Sequence, residues 1–128
     1  MQTMWPSIFV IFLGAGFGAV LRAGFNFLAA GTASMVPLGT LFANLVGGYL
    51  VGIAIAFFGN NPNISPEWKL FVITGFLGGL TTFSSFSAEV VSLIQNGEYT
   101  WALGTALLHL IGSLALTFLG ILTYQALK

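Results

Sequence analysis

Three stretches of this sequence place a small or polar residue at every fourth position. The first holds Gly14, Gly18, Arg22 and Asn26; the second Thr40, Asn44, Gly48 and Gly52; the third Thr105, His109, Ser113 and Thr117. Residues four apart share one face of a helix, so each set forms a stripe. Glycines and small polar residues in such stripes serve close helix packing and hydrogen bonds between helices. Asn44, His109 and Ser113 go beyond that need, because an amide, an imidazole and a hydroxyl are three different donors. A path lined by neutral donors and lacking carboxylates suits an anion, whereas cation paths offer carbonyls or acidic rings.

The inventory contains no catalytic set. There is one histidine, no aspartate and no cysteine, which excludes thiol catalysis and thiolate metal sites. His109 has no second histidine or cysteine to join it as a metal ligand, and hydrogen bonding is left as its role. Gly75 to Gly79 lacks the lysine that a phosphate loop requires. A net charge of zero offers nothing to attract nucleic acid. The residues fit translocation better than catalysis.

Lipid-spanning helices must position these side chains. Of 128 residues, 57% are hydrophobic and 5% charged, against roughly a quarter charged in an ordinary soluble domain. A bilayer core about 30 Å thick needs about 20 mainly apolar residues per helix. Four spans account for nearly the whole chain as a single domain over residues 1–128: about 6–30, 39–59, 67–95 and 99–127. Gly31 to Pro37, Asn60 to Asn63 and Asn96 to Glu98 are the predicted turns. Trp5, Trp68, Tyr99, Trp101 and Tyr124 fall near span ends, as an aromatic belt would. The N-terminus lacks the pattern of a cleaved signal peptide, so the first stretch reads as a retained span.

The third span is not uniform. Gly75, Gly78 and Gly79 precede Thr81, Thr82, Ser84, Ser85 and Ser87. Glycine is costly in a helix, and hydroxyls can satisfy backbone groups that a break exposes. An interruption near Gly78 to Phe83, at mid-membrane depth, is expected, with Gly78 and Gly79 permitting the turn. Arg22 would cost about 2.5–3.5 kcal/mol at a helix centre. It either snorkels to the interface, or bonds backbone carbonyls or an aqueous vestibule that attracts anions. Glu89, past the break, is either a vestibule surface residue or a mobile gate. Lys69 and Lys128 lie toward one face and Arg22 toward the other, so the positive-inside rule selects no orientation.

The run Gly75-Phe76-Leu77-Gly78-Gly79-Leu80-Thr81-Thr82-Phe83-Ser84-Ser85-Phe86-Ser87 is the most specific feature. With Gly39-Thr40-Leu41-Phe42-Ala43-Asn44-Leu45-Val46-Gly47-Gly48 and Gly18-Ala19-Val20-Leu21-Arg22, it resembles the CrcB/Fluc family of fluoride channels over essentially the whole chain. The resemblance implies an all-α membrane protein of the bacterial inner membrane with four transmembrane helices, the third broken. It also implies an antiparallel homodimer of dual topology, with two pores that release fluoride passively. Phe83 and Phe86 then line the pores, Asn44 meets the ion with its amide, and Ser113 and Thr117 form a polar track. Thr40, His109 and Glu89 complete the expected fluoride pathway, and Arg22 belongs to the vestibule. The carbonyls of Gly78 and Thr81 are implied to hold a structural sodium ion. Two other readings remain: a small proton-coupled multidrug exporter, and a scaffold. The exporter needs a carboxylate deep on the first helix, where this chain has Arg22; the scaffold leaves the broken span unexplained.

Overall fold

The structure is a computed structural model that describes residues 4–128 apart from positions 33 and 35. The described residues hold helices and turns only. They comprise α1 (Trp5–Ala29), α2 (Leu38–Asn60), α3 (Pro66–Lys69), a π-helical segment (Leu70–Leu77), α4 (Gly78–Leu80), α5 (Phe83–Gln95) and α6 (Tyr99–Leu127). The segments from Pro66 to Gln95 make one bent span, giving four spans of 25, 23, 30 and 29 residues. At 1.5 Å per residue each exceeds the ~30 Å hydrocarbon core. The chain is therefore a multi-pass membrane protein. The span limits agree with the sequence reading to within one or two residues. Two positions of the predicted turn over 31–37, positions 33 and 35, lie outside the described residues.

Local chemistry sets the helix ends. Asn60 and Asn61 turn their side-chain amides back onto the carbonyls of Ala56 and Phe57, each at 2.8 Å, and close α2. At the end of α5, Glu98 N–H bonds Leu93 O at 2.8 Å and Gly97 N–H bonds Ile94 O at 3.0 Å. This double closure needs a left-handed residue after the cap, and Gly97 supplies it with φ 77°.

Glycine decides which helices pair. α2 packs along α6, and α1 packs along the π segment and α4. A Cβ on Gly52 would overlap the Thr117 carbonyl, and one on Gly120 would overlap that of Tyr49. In the other pair, a Cβ on Gly18 would overlap the Phe76 carbonyl and the Leu80 nitrogen, and one on Gly79 the backbone of Ala15. The two pairs meet around Ala43, Ala54, Leu77 and Leu80. Phe9, Phe12, Phe17 and Phe118 face outward, where lipid is the solvent.

The third span is interrupted, and the mechanism differs from the expected one. Gly78 is helical (φ −64°, ψ −36°), while Thr81 (φ −84°, ψ 158°) and Thr82 (φ −149°, ψ 117°) are extended. Gly79 lacks a side chain because α1 lies against it; the threonines make the break. Thr82 then caps α5 by accepting the Ser85 N–H at 3.1 Å. The π-helical stretch before the break has no counterpart in the sequence reading.

Candidate functional site: a groove at the helix break

The two extended residues are held from outside their own span. Asn44, on α2, accepts the Thr82 N–H at 2.7 Å and donates its Nδ2 to the Thr82 carbonyl at 3.1 Å. The Asn44 side chain thus pairs with both backbone groups of Thr82, as a neighbouring strand would. Its second Nδ2 hydrogen points to His109 Nδ1 on α6, at 3.0 Å. Because an amide nitrogen only donates, Nδ1 accepts and the imidazole proton sits on Nε2.

Around this node lies a groove of about 410 Å³. Its walls include Asn44, Gly48, Gly78, Thr81, Thr82, Phe83, Phe86, His109 and Ser113. Phe83 and Phe86, one turn apart on α5, stand edge to face at 5.6 Å between centroids and 69° between planes. Phe86 also lies against the His109 ring, with centroids 4.5 Å apart. Phe83 is 79% exposed in the single chain. The edge of a phenyl ring is the positive part of its quadrupole, so both rings can present favourable edges to an anion. The groove hydroxyls differ in their commitments. Thr81 donates to Leu77 O at 2.9 Å and Thr82 caps α5, whereas Ser113 has no such bond among the described residues.

The structure brings together seven of the eleven expected residues in this groove: Asn44, Phe83, Phe86, His109, Ser113, Gly78 and Thr81. Thr117 stands apart, since its hydroxyl bridges the carbonyls of Gly48 at 2.8 Å and Ser113 at 2.9 Å. Thr40 and Glu89 form a separate pair, Oγ1 donating to Oε2 at 2.7 Å. Glu89 opens onto a second, smaller pocket with Pro37, Ala88, Ser92 and Leu93. Thr40 lies one turn from Asn44, and Glu89 three residues from Phe86. Among the described residues, Glu89 Oε1, Thr105 Oγ1 and His109 Nε2 are buried without a hydrogen-bond partner. Arg22 is outside the groove, and its Nε donates to Gly79 O at 3.1 Å. Of its expected alternatives, the bond to a backbone carbonyl is the one formed.

The break also frees carbonyls. The helical partner of Gly78 O would be Thr82 N–H, which goes to Asn44; that of Thr81 O would be Ser85 N–H, which goes to the Thr82 hydroxyl. Gly78 is exposed, and a Cβ there would meet nothing nearer than Ile73 O at 3.8 Å. Among the described residues no three His, Cys, Asp or Glu side chains converge. Neutral, unpaired carbonyls without an acid nearby suit a small monovalent cation and not a divalent one.

Sequence reasoning missed the Asn44–Thr82 pairing and the π segment. The capping of α5 by Thr82 was legible, because a threonine three residues before an amide it can receive is a helix-start signal.

A family model described as CrcB-like protein, Camphor Resistance (CrcB), matches residues 9–121. The chain is 75% identical over 125 residues to a protein of Polynucleobacter asymbioticus named fluoride-specific ion channel FluC, covering 98% of this chain and 100% of that one. Proteins of the same name from Pseudomonas putida and Nitrosomonas europaea are 56% and 54% identical. They cover 94% and 98% of this chain, and 95% and 98% of their own.

Proposed function

We propose that this chain, which belongs to the CrcB family, is a fluoride channel that lets fluoride leave the cell passively. The observation that carries the reading is the groove itself. It combines two phenylalanine edges with an amide–imidazole pair and an uncommitted serine hydroxyl, beside a break in a membrane span. Fluoride is small and strongly hydrated, so leaving water requires replacement donors. Ser113 and His109 Nε2–H supply them, and Phe83 and Phe86 add ring edges while their apolar walls disfavour larger, softer anions. Asn44 acts first by holding Thr82 and orienting His109. The Thr40–Glu89 pair, one turn along α2 and α5 from Asn44 and Phe86, extends the route toward the second pocket. A membrane potential negative inside drives an anion outward by about 2.3 kcal/mol per 100 mV, so no coupled energy source is required.

The working unit in this reading is a homodimer of inverted subunits. Three features favour it: the nearly even charge between faces, the exposed Phe83, and the open space at Gly78. A second copy crossing at the break would bring two carbonyls from each chain together, those of Gly78 and Thr81. That set would hold sodium as a fixture of assembly. Cysteine tags at the C-terminus should label from both sides of the membrane; one-sided labelling would remove the inverted dimer.

The function itself is tested with purified protein in liposomes and a fluoride electrode. Fluoride efflux with little chloride efflux and no dependence on a proton gradient is the expected result. Proton-coupled export of organic cations, or no fluoride flux, would overturn the reading.

A further inference from the structure

We infer that Arg22 is a positioning residue: it caps the helix that stops at Leu80 and thereby fixes where Phe83 and Phe86 stand. A helix end leaves its last carbonyls without amide partners. The Leu77 carbonyl is satisfied twice, by Thr81 N–H at 3.0 Å and by the Thr81 hydroxyl at 2.9 Å. The Gly79 carbonyl would look four residues ahead to Phe83, but two extended residues intervene and Phe83 opens the next helix. Arg22 Nε–H fills that place at 3.1 Å. A cation at a helix C-terminus also meets the negative end of the helix dipole.

The contact is built into the packing of two spans. Arg22 follows Gly18 by one turn, and Gly18 lets α1 lie directly on the backbone of Phe76 and Leu80. The glycine stripe brings α1 down onto the third span, and the arginine at its end reaches the break. From α2, Asn44 holds Thr82 by both backbone groups. The two extended residues are therefore fixed from two helices, one hold before them and one within them. α5 begins immediately afterward, so the directions of Phe83 and Phe86 follow from both holds. The donor in use is Nε, not the terminal guanidinium nitrogens, so the role depends on a correctly placed N–H more than on charge.

Two substitutions separate these properties. Glutamine carries its side-chain nitrogen at the same number of bonds from Cα as arginine Nε, but without charge. Lysine has a methylene there and carries its charge one atom further. Arg22→Gln should keep fluoride flux within about threefold of the parent, and Arg22→Lys should lower it about tenfold or more, as expected for losing one part-buried hydrogen bond. Hydrogen exchange of the amides of residues 81–85, read by mass spectrometry, should quicken about tenfold in Arg22→Lys alone, with α6 unaffected. The flux readout rests on the channel reading above; the exchange readout does not. Failure of the parent to conduct fluoride would sink that reading and leave the exchange comparison standing. The positioning role is overturned if Arg22→Lys behaves as the parent while Arg22→Gln loses flux, since charge would then be what matters. It is also overturned if exchange at 81–85 is the same in all three proteins, or if both variants loosen the whole chain alike.

Discussion

Asn44 holds Thr82 by both of its backbone groups, accepting the N–H at 2.7 Å and donating to the carbonyl at 3.1 Å across 38 residues of sequence. This one side chain closes the gap that the break opens in the third span, and its remaining hydrogen orients His109. A half-buried amide with every polar atom but one lone pair in use cannot be replaced without leaving a partner unmet.

Asn44→Asp is therefore expected to fail. The carboxylate still accepts the Thr82 N–H, but it offers no donor to the Thr82 carbonyl or to His109 Nδ1. Each unmet buried group costs about 1–3 kcal/mol, so thermal stability should fall measurably. Fluoride efflux from liposomes should drop by at least about tenfold, because a negative charge also repels the ion. Parent-like efflux would show that the amide is dispensable.

Phe83 and Phe86 should separate function from stability. Phe83 is 79% exposed in the single chain, so Phe83→Ile should change the chain's own stability by no more than about 0.5 kcal/mol. Phe86 packs on both Phe83 and His109, and Phe86→Ile should cost about 0.5–1.5 kcal/mol more through the lost ring contacts. Both should cut fluoride flux strongly while the protein still purifies as the same species. Normal flux with isoleucine at both positions would reduce the rings to packing.

The glycines make opposite predictions depending on what they face. Gly52→Ala drives a methyl into the Thr117 carbonyl and should destabilise by about 1–3 kcal/mol. Gly104→Ala meets nothing within 4 Å and removes a helix-weakening residue, so it should gain about 0.5–1 kcal/mol. Unfolding of the purified variants in one detergent, followed by intrinsic fluorescence, compares them directly. Equal shifts would mean that the α2–α6 contact is looser than described.

Sodium removal tests the carbonyl site. The partners of Gly78 O and Thr81 O are diverted to Asn44 and Thr82. If an ion joins these carbonyls between copies, a bulky organic cation replacing sodium on both sides should lower flux or loosen the dimer. Returning sodium should restore both by mass action. Unchanged flux and an unchanged oligomer without sodium would remove the site.

Much of the architecture is legible in the order of residues. Span ends at Asn60, Asn61 and Gly97 follow from side chains and backbone angles that act within a turn or two. The interruption near Thr81 and Thr82 is also local, since hydroxyls that cap and back-bond announce themselves by spacing. The glycines are less legible. By sequence Gly78 and Gly79 are the turning point, yet Gly79 is small because Ala15 of another span occupies the space a side chain would need. A missing side chain looks the same in sequence whether it serves bending or contact.

Four lipid-crossing helices, a break in the third, and a stock of neutral donors with almost no charge all follow from the order of residues. Hydrophobic length, turn chemistry and composition act locally, and lipid as solvent tolerates few other arrangements. What each polar group does is set by how the helices pack. Thr117 sits in the same stripe as His109 and Ser113, but its hydroxyl is spent on the Gly48 carbonyl 69 positions away. Arg22 meets Gly79 across 57 positions, and Asn44 meets His109 across 65. A hydrogen bond is settled by which donor and acceptor arrive within about 3 Å of each other. At such separations that is decided by how glycine lets the helices approach, and by nothing local to either residue.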